Sequence, residues 1–135
     1  MRLFLLFLIL PLLPACATLD GKQRASTLED MTAGYTDALR WADFTRAEGY
    51  RRLPAGAPSS PPPEALSSIR VTSCRIDTTR LSPAGDSADV EATISFYADD
   101  IMKLRTVHDH QHWRYDAAAG TWYITTPLPD FRTAH

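Results

Sequence analysis

At Ile69 the spacing of apolar residues changes period, and that change fixes most of what this 135-residue chain can fold into. Upstream, Leu28, Met31, Tyr35, Ala38, Leu39 and Ala42 recur at intervals of three and four, which is one apolar stripe along a helix. Downstream, Ala88, Val90, Ala92, Ile94 and Phe96 alternate with Asp89, Glu91, Thr93, Ser95 and Tyr97. Successive side chains of a strand point to opposite faces, so this second pattern is a strand with one face buried. Helices first and hairpin-linked strands afterwards imply an α+β domain, with N-terminal helices packed on a curved four-stranded antiparallel sheet.

Local signals set the expected boundaries. Ser26 followed by Glu29 has capping-box spacing, so a helix is expected over 27–42, and Asp43 is placed to cap a short second helix through Phe44, Ala47 and Tyr50. Gly34 costs that first helix about 1 kcal/mol against alanine, and close packing is one reading of it that the sequence leaves open. Residues 54–63 (PAGAPSSPPP) hold five of the ten prolines and read as an internal loop. Ile69, Val71 and Ser73 alternate, then Cys74, Ile76 and Thr78 resume in the other phase, which calls for a β-bulge near Ser73. A turn over 82–87, a strand over 88–97 and a connection at 98–100 follow. Strands over 102–115 and 121–126, joined by a hairpin turn at 116–120, complete the sheet before Pro127 and Pro129 stop it.

The N-terminus reads as an address. Arg2 precedes an apolar run from Leu3 to Leu13, well short of the roughly 20 residues that span a bilayer as a helix. Leu13, Pro14, Ala15 and Cys16 resemble the lipobox of bacterial lipoproteins, with Pro14 departing from the commoner small residue. The resemblance implies a signal peptide over 1–15 and acyl chains on Cys16, enough for stable anchoring. The alternative is an ordinary secretory signal cut after Ala15 or Ala17. With Ala17 after the cysteine, lipoprotein sorting favours the outer membrane, facing the periplasm. Residues 16–25 then form a polar tether, and 26–135 a single domain. Fourteen basic against sixteen acidic residues argue against a nucleic-acid binder. Cys74 is left without an intramolecular disulfide partner and is expected as a small core residue.

The strings YTDALRWADFTRAEGY (35–50) and HWRYDAAAGTWYITTPLPDF (112–131), together with the element order, resemble small proteobacterial lipoproteins of the nuclear transport factor 2-like class. The resemblance spans nearly all of 26–131. It implies a cone in which a curved sheet wraps over the helices and leaves a pocket. It says little about activity, because the same cone serves isomerases, dehydratases, cyclases and non-catalytic binding modules.

The run His108-Asp109-His110-Gln111-His112 is the most conspicuous candidate for chemistry. In a strand its three imidazoles share a face at spacings of about 6.5–7 Å, too wide for all three to reach one metal ion easily. Two of them with a residue from a neighbouring strand would do so more readily. The expected reading is a solvated sheet face opposite Trp113 and Tyr115, with His108, His110 and His112 the candidates should a metal bind. Acid–base candidates are Asp37 and Asp43 on the helices with His108 or His110 on the sheet. Helix geometry turns Asp37 away from the Tyr35 face, and Asp43 suits a cap. Tyr35, Trp41, Phe96, Trp113 and Trp122 are candidates to line a pocket, or simply to fill the core. No nucleophile triad or glycine-rich phosphate loop is present, and no cofactor is implied. The expected function is therefore a membrane-anchored binding module for an envelope protein or a small apolar ligand. A homodimer through the sheet is a further expectation. The alternative is an isomerase- or dehydratase-like enzyme with an Asp/His pair in the pocket.

Overall fold

Helix α1 runs over Ala15–Arg40 and α2 over Phe44–Glu48; a 3₁₀ turn at Pro63–Leu66 leads into four strands, β1 (Ile69–Leu81), β2 (Ser87–Ala98), β3 (Arg105–Asp116) and β4 (Thr121–Ile124). These come from a computed structural model that describes residues 15–134. The expected signal peptide lies outside the described residues except for Ala15. Among the described residues no helix is long and apolar enough to cross a membrane.

The strands form an open antiparallel meander in the order β1-β2-β3-β4, with α1 packed across one face. The expected α+β class and all four strands are present, and each strand boundary falls within a few residues of its expected place. Alternation explains the fit: Ala88, Val90, Ala92, Ile94 and Phe96 are all buried, and every residue between them is partly exposed. Register shifts on β1 fall between Val71 and Ser73, where the phase change of the sequence asked for a bulge, and again between Ile76 and Thr78. Asp43 caps α2 by accepting from the Arg46 amide at 3.0 Å. Gly34 is needed where it stands, because a Cβ there would drive into the Tyr50 hydroxyl.

Two boundaries differ from expectation. α1 starts at Ala15, so residues 16–25 belong to the helix and Ser26 lies inside it; the capping-box reading of Ser26 and Glu29 and the irregular tether both give way. The cause is tertiary. Arg24 lies 4.5 Å over the Tyr115 ring, its carbonyl accepts from Trp122 Nε1 at 3.0 Å, and its side chain reaches Asp20 one turn earlier at 3.5 Å. A polar segment docked in this way keeps its helical hydrogen bonds although it has no apolar stripe.

The C-terminal segment is the second difference. From Pro127 onward the chain turns back into the core, burying Leu128, Phe131 and Ala134. Phe131 meets Phe96 and Phe44 edge-on at 4.8 and 5.5 Å between ring centroids. Arg105 ties the tail down by donating to the Ala134 carbonyl at 2.6 Å, and Ser60 of the proline-rich loop accepts from the Leu128 amide at 3.0 Å. The free edge of β4 is covered by the strand-like segment 50–52, in which the Arg52 amide donates to the Ile124 carbonyl and the Ile124 amide to that of Tyr50.

Candidate functional site

Strand β3 carries two different polar clusters, one on each face. Its inward residues are Val107, Asp109, Gln111, Trp113 and Tyr115, and its outward ones include His108, His110 and His112. The expected solvated face for the three histidines is what the strand presents. The buried polar residues beside them were not anticipated.

On the inner face Asp109 is only 3% exposed. Gln111 Nε2 donates to its carboxylate at 2.8 Å, and Gln111 Oε1 accepts from Trp113 Nε1 at 2.9 Å. Across the layer Arg51, also buried, donates to the Tyr35 hydroxyl and to the Thr126 carbonyl, with Glu48 3.7 Å from its Nε. Burial pushes the Asp109 carboxyl up to about 6, against the opposing pull of the Gln111 hydrogen bond and the Arg51 charge. The Tyr35 hydroxyl is raised well above its ordinary value, first by burial and then by Asp109. Cys74 packs against the same core, and burial lifts its thiol to about 12, so it stays protonated and unreactive.

A carboxyl that titrates near 6 has the proton affinity of a general base. It lacks access. Two clefts of the described residues lie elsewhere: one of 460 Å³ between Lys22, Leu28, Thr32 of α1 and Thr79, Leu81 of β1, and one of 430 Å³ among Pro61, Leu66, Ile69, Ile101, Arg105 and Phe131. Neither reaches Asp109, Tyr35 or Gln111. Of the pocket-lining candidates, Tyr35, Phe96, Trp113 and Trp122 are at most 1% exposed and pack as core, while Trp41 is turned out to solvent at 72% exposure. The sequence could not place Trp41, because α1 ends at Arg40 and Trp41 leaves the stripe.

The acid–base candidates do not converge. Asp37 faces outward and pairs with Arg46 at 2.9 Å, also accepting from Trp41 Nε1 at 3.1 Å; Asp43 is spent on its cap. His108 and His110 are on the far side of the sheet from both. Instead the register sets His108 opposite Thr93, His110 opposite Glu91 and His112 opposite Asp89. His112 Nδ1 lies 2.9 Å from Asp89 Oδ1, His110 Nε2 lies 3.5 Å from the same oxygen, and His110 Nδ1 lies 3.2 Å from Glu91 Oε1. The His112 hydrogen bond holds the Asp89 carboxyl below the usual carboxylate range. Further along, Thr93 donates to Asp77 at 2.5 Å and holds that carboxyl low as well.

Compared with known proteins, the chain matches no family model, no curated protein and no solved structure.

Proposed function

We propose that this chain is a lipid-anchored envelope protein whose α+β domain, a cone of the nuclear transport factor 2-like kind, holds a protein partner at its membrane-distal end and catalyses no reaction. The observation that carries the reading is where the exposed apolar side chains lie. Of the six large apolar residues exposed among the described residues, four, Trp41, Ile101, Met102 and Leu104 at 72, 55, 70 and 63%, sit at the C-terminal end of α1 or in the β2–β3 connection beside it, while Leu19 at 65% and Leu81 at 40% lie apart, near the start of α1 and at the end of β1. Arg70, bound to Asp99 at 2.8 Å, joins the two groups. Cys16 stands at the opposite end of a helix of 26 residues, about 39 Å long.

An anchor on Cys16 therefore turns the apolar rim away from the bilayer. The 430 Å³ cleft borders this rim at Ile101 and is flanked by Asp100, Arg105, Asp130 and Arg132, a mixture that suits a protein surface. A small apolar ligand is the weaker choice, since Tyr35, Phe96, Trp113 and Trp122 fill the interior that would have to hold it. The lipobox-like sequence supports the anchor, and the helix-first order with a four-strand meander supports the cone.

Two measurements test the proposal. Metabolic palmitate labelling with envelope fractionation should show acylation and outer-membrane recovery for the native chain, and neither for Cys16→Ser. Photocrosslinking residues at Met102 and Trp41 should capture a protein that the same probe at Lys22 does not. Equal capture from all three positions overturns the distal surface, and unchanged labelling of Cys16→Ser overturns the anchor.

A further inference from the structure

We infer that Asp89, His110 and His112 form a binding site for a zinc-class divalent cation on the outer face of the sheet, with Glu91 as the carboxylate that orients His110. The inference rests on cross-strand geometry and stands apart from the anchoring proposal. His110 and His112 are two residues apart on β3 and share a face, and Asp89 on β2 is the direct partner of His112. Zinc bonded to nitrogen and oxygen at about 2.0–2.1 Å in a tetrahedron sets its ligand atoms about 3.3 Å apart. The contacts of Asp89 Oδ1 with His112 Nδ1 at 2.9 Å and His110 Nε2 at 3.5 Å bracket that separation.

A carboxylate also stands behind one of the two rings. A metal-binding imidazole commonly gives its other ring nitrogen to a carboxylate, which fixes the ring and its tautomer. His110 Nδ1 faces Glu91 Oε1 at 3.2 Å, leaving Nε2 directed toward Asp89. Imidazole with carboxylate suits zinc better than magnesium, which prefers oxygen ligands and retains its waters. Among the described residues no three such groups already converge on one point, since Asp89 meets each ring separately. Closure takes a rotation of the two rings toward each other. The side chains of His110, His112 and Asp89 are 60, 38 and 47% exposed, which leaves the rings partly free to turn. His108 is outside the set: its Nδ1 faces the Thr93 hydroxyl at 3.4 Å, and its cross-strand partner offers no carboxylate.

The test uses the untagged full chain in detergent, titrated calorimetrically with zinc chloride and, as a control, magnesium chloride. One zinc per chain and no magnesium heat are expected. Asp89→Asn, His110→Ala and His112→Ala should each weaken zinc binding by about tenfold or more. His108→Ala should change it by less than about twofold. In the native chain, imidazole NMR signals of His110 and His112 should shift with zinc while those of His108 do not. Absence of saturable binding, an unchanged affinity in Asp89→Asn, or equal losses from His108→Ala and His112→Ala each overturn the site; the last is the mark of an adventitious histidine strip.

Discussion

Both faces of β3 carry polar side chains and put them to opposite uses. Inward, Asp109 and Gln111 are buried in a network with Trp113, so the hydrogen bonds there offset the hydration lost on burial. Outward, His108, His110 and His112 remain at least partly exposed, and His110 and His112 meet carboxylates of the neighbouring strand. Burial pushes the inner carboxyl toward neutrality, and the His112 hydrogen bond holds the outer one, Asp89, ionised. The inner face therefore governs stability and its pH dependence, and the outer face is free to serve binding.

The most severe way to break this contrast is Trp113→Ala. It removes a fully buried ring that packs against Tyr35 and Tyr50 at 6.1 and 6.5 Å and strands the Gln111 carbonyl. A loss of about 3–5 kcal/mol in urea unfolding is expected; a loss below about 1 kcal/mol would mean that the inner network is not a core.

A smaller effect sharpens the electrostatic half. The Asp109 carboxyl is raised from an unfolded value near 3.9 to about 6, so its protonated form is the one the fold favours. Its contribution to stability is complete below about pH 4 and is lost as pH rises through about 6. The two-unit difference corresponds to roughly 3 kcal/mol at most between those limits. Asp109→Asn should leave stability at pH 4 nearly unchanged and raise the melting temperature at pH 7.5. A variant destabilised more at pH 7.5 than at pH 4 would show that the charged form is the favoured one.

The least effect belongs to the outer face. His108→Ala should alter unfolding free energy by no more than about 0.5 kcal/mol, because an exposed histidine with one long contact to Thr93 leaves no cavity. A cost of several kcal/mol would erase the distinction between the faces.

Much of this was legible before any coordinates. The same period of two that buries Trp113 also buries Asp109 and Gln111, and following it through the histidine run would have identified the inner network. The histidine run signals only the outer face, while Asp109 and Gln111 sit between its members in the sequence. The partners of those imidazoles were beyond reach. Asp89 lies more than twenty residues from His112, and only the register of β2 against β3 joins them.

The amino-acid sequence by itself determined the α+β class, the strand boundaries, the first bulge of β1, the cap at Asp43 and the outward turn of the histidines. Each follows from periodicity or from a turn or cap signal that acts over a few residues. Tertiary structure alone decided that residues 16–25 are helical, that the tail carrying Phe131 re-enters the core, that Trp41 is exposed, and that Asp89 meets His110 and His112. Those outcomes depend on contacts between segments far apart in the chain, whose free energy is set by which surfaces meet and leaves no local pattern to read.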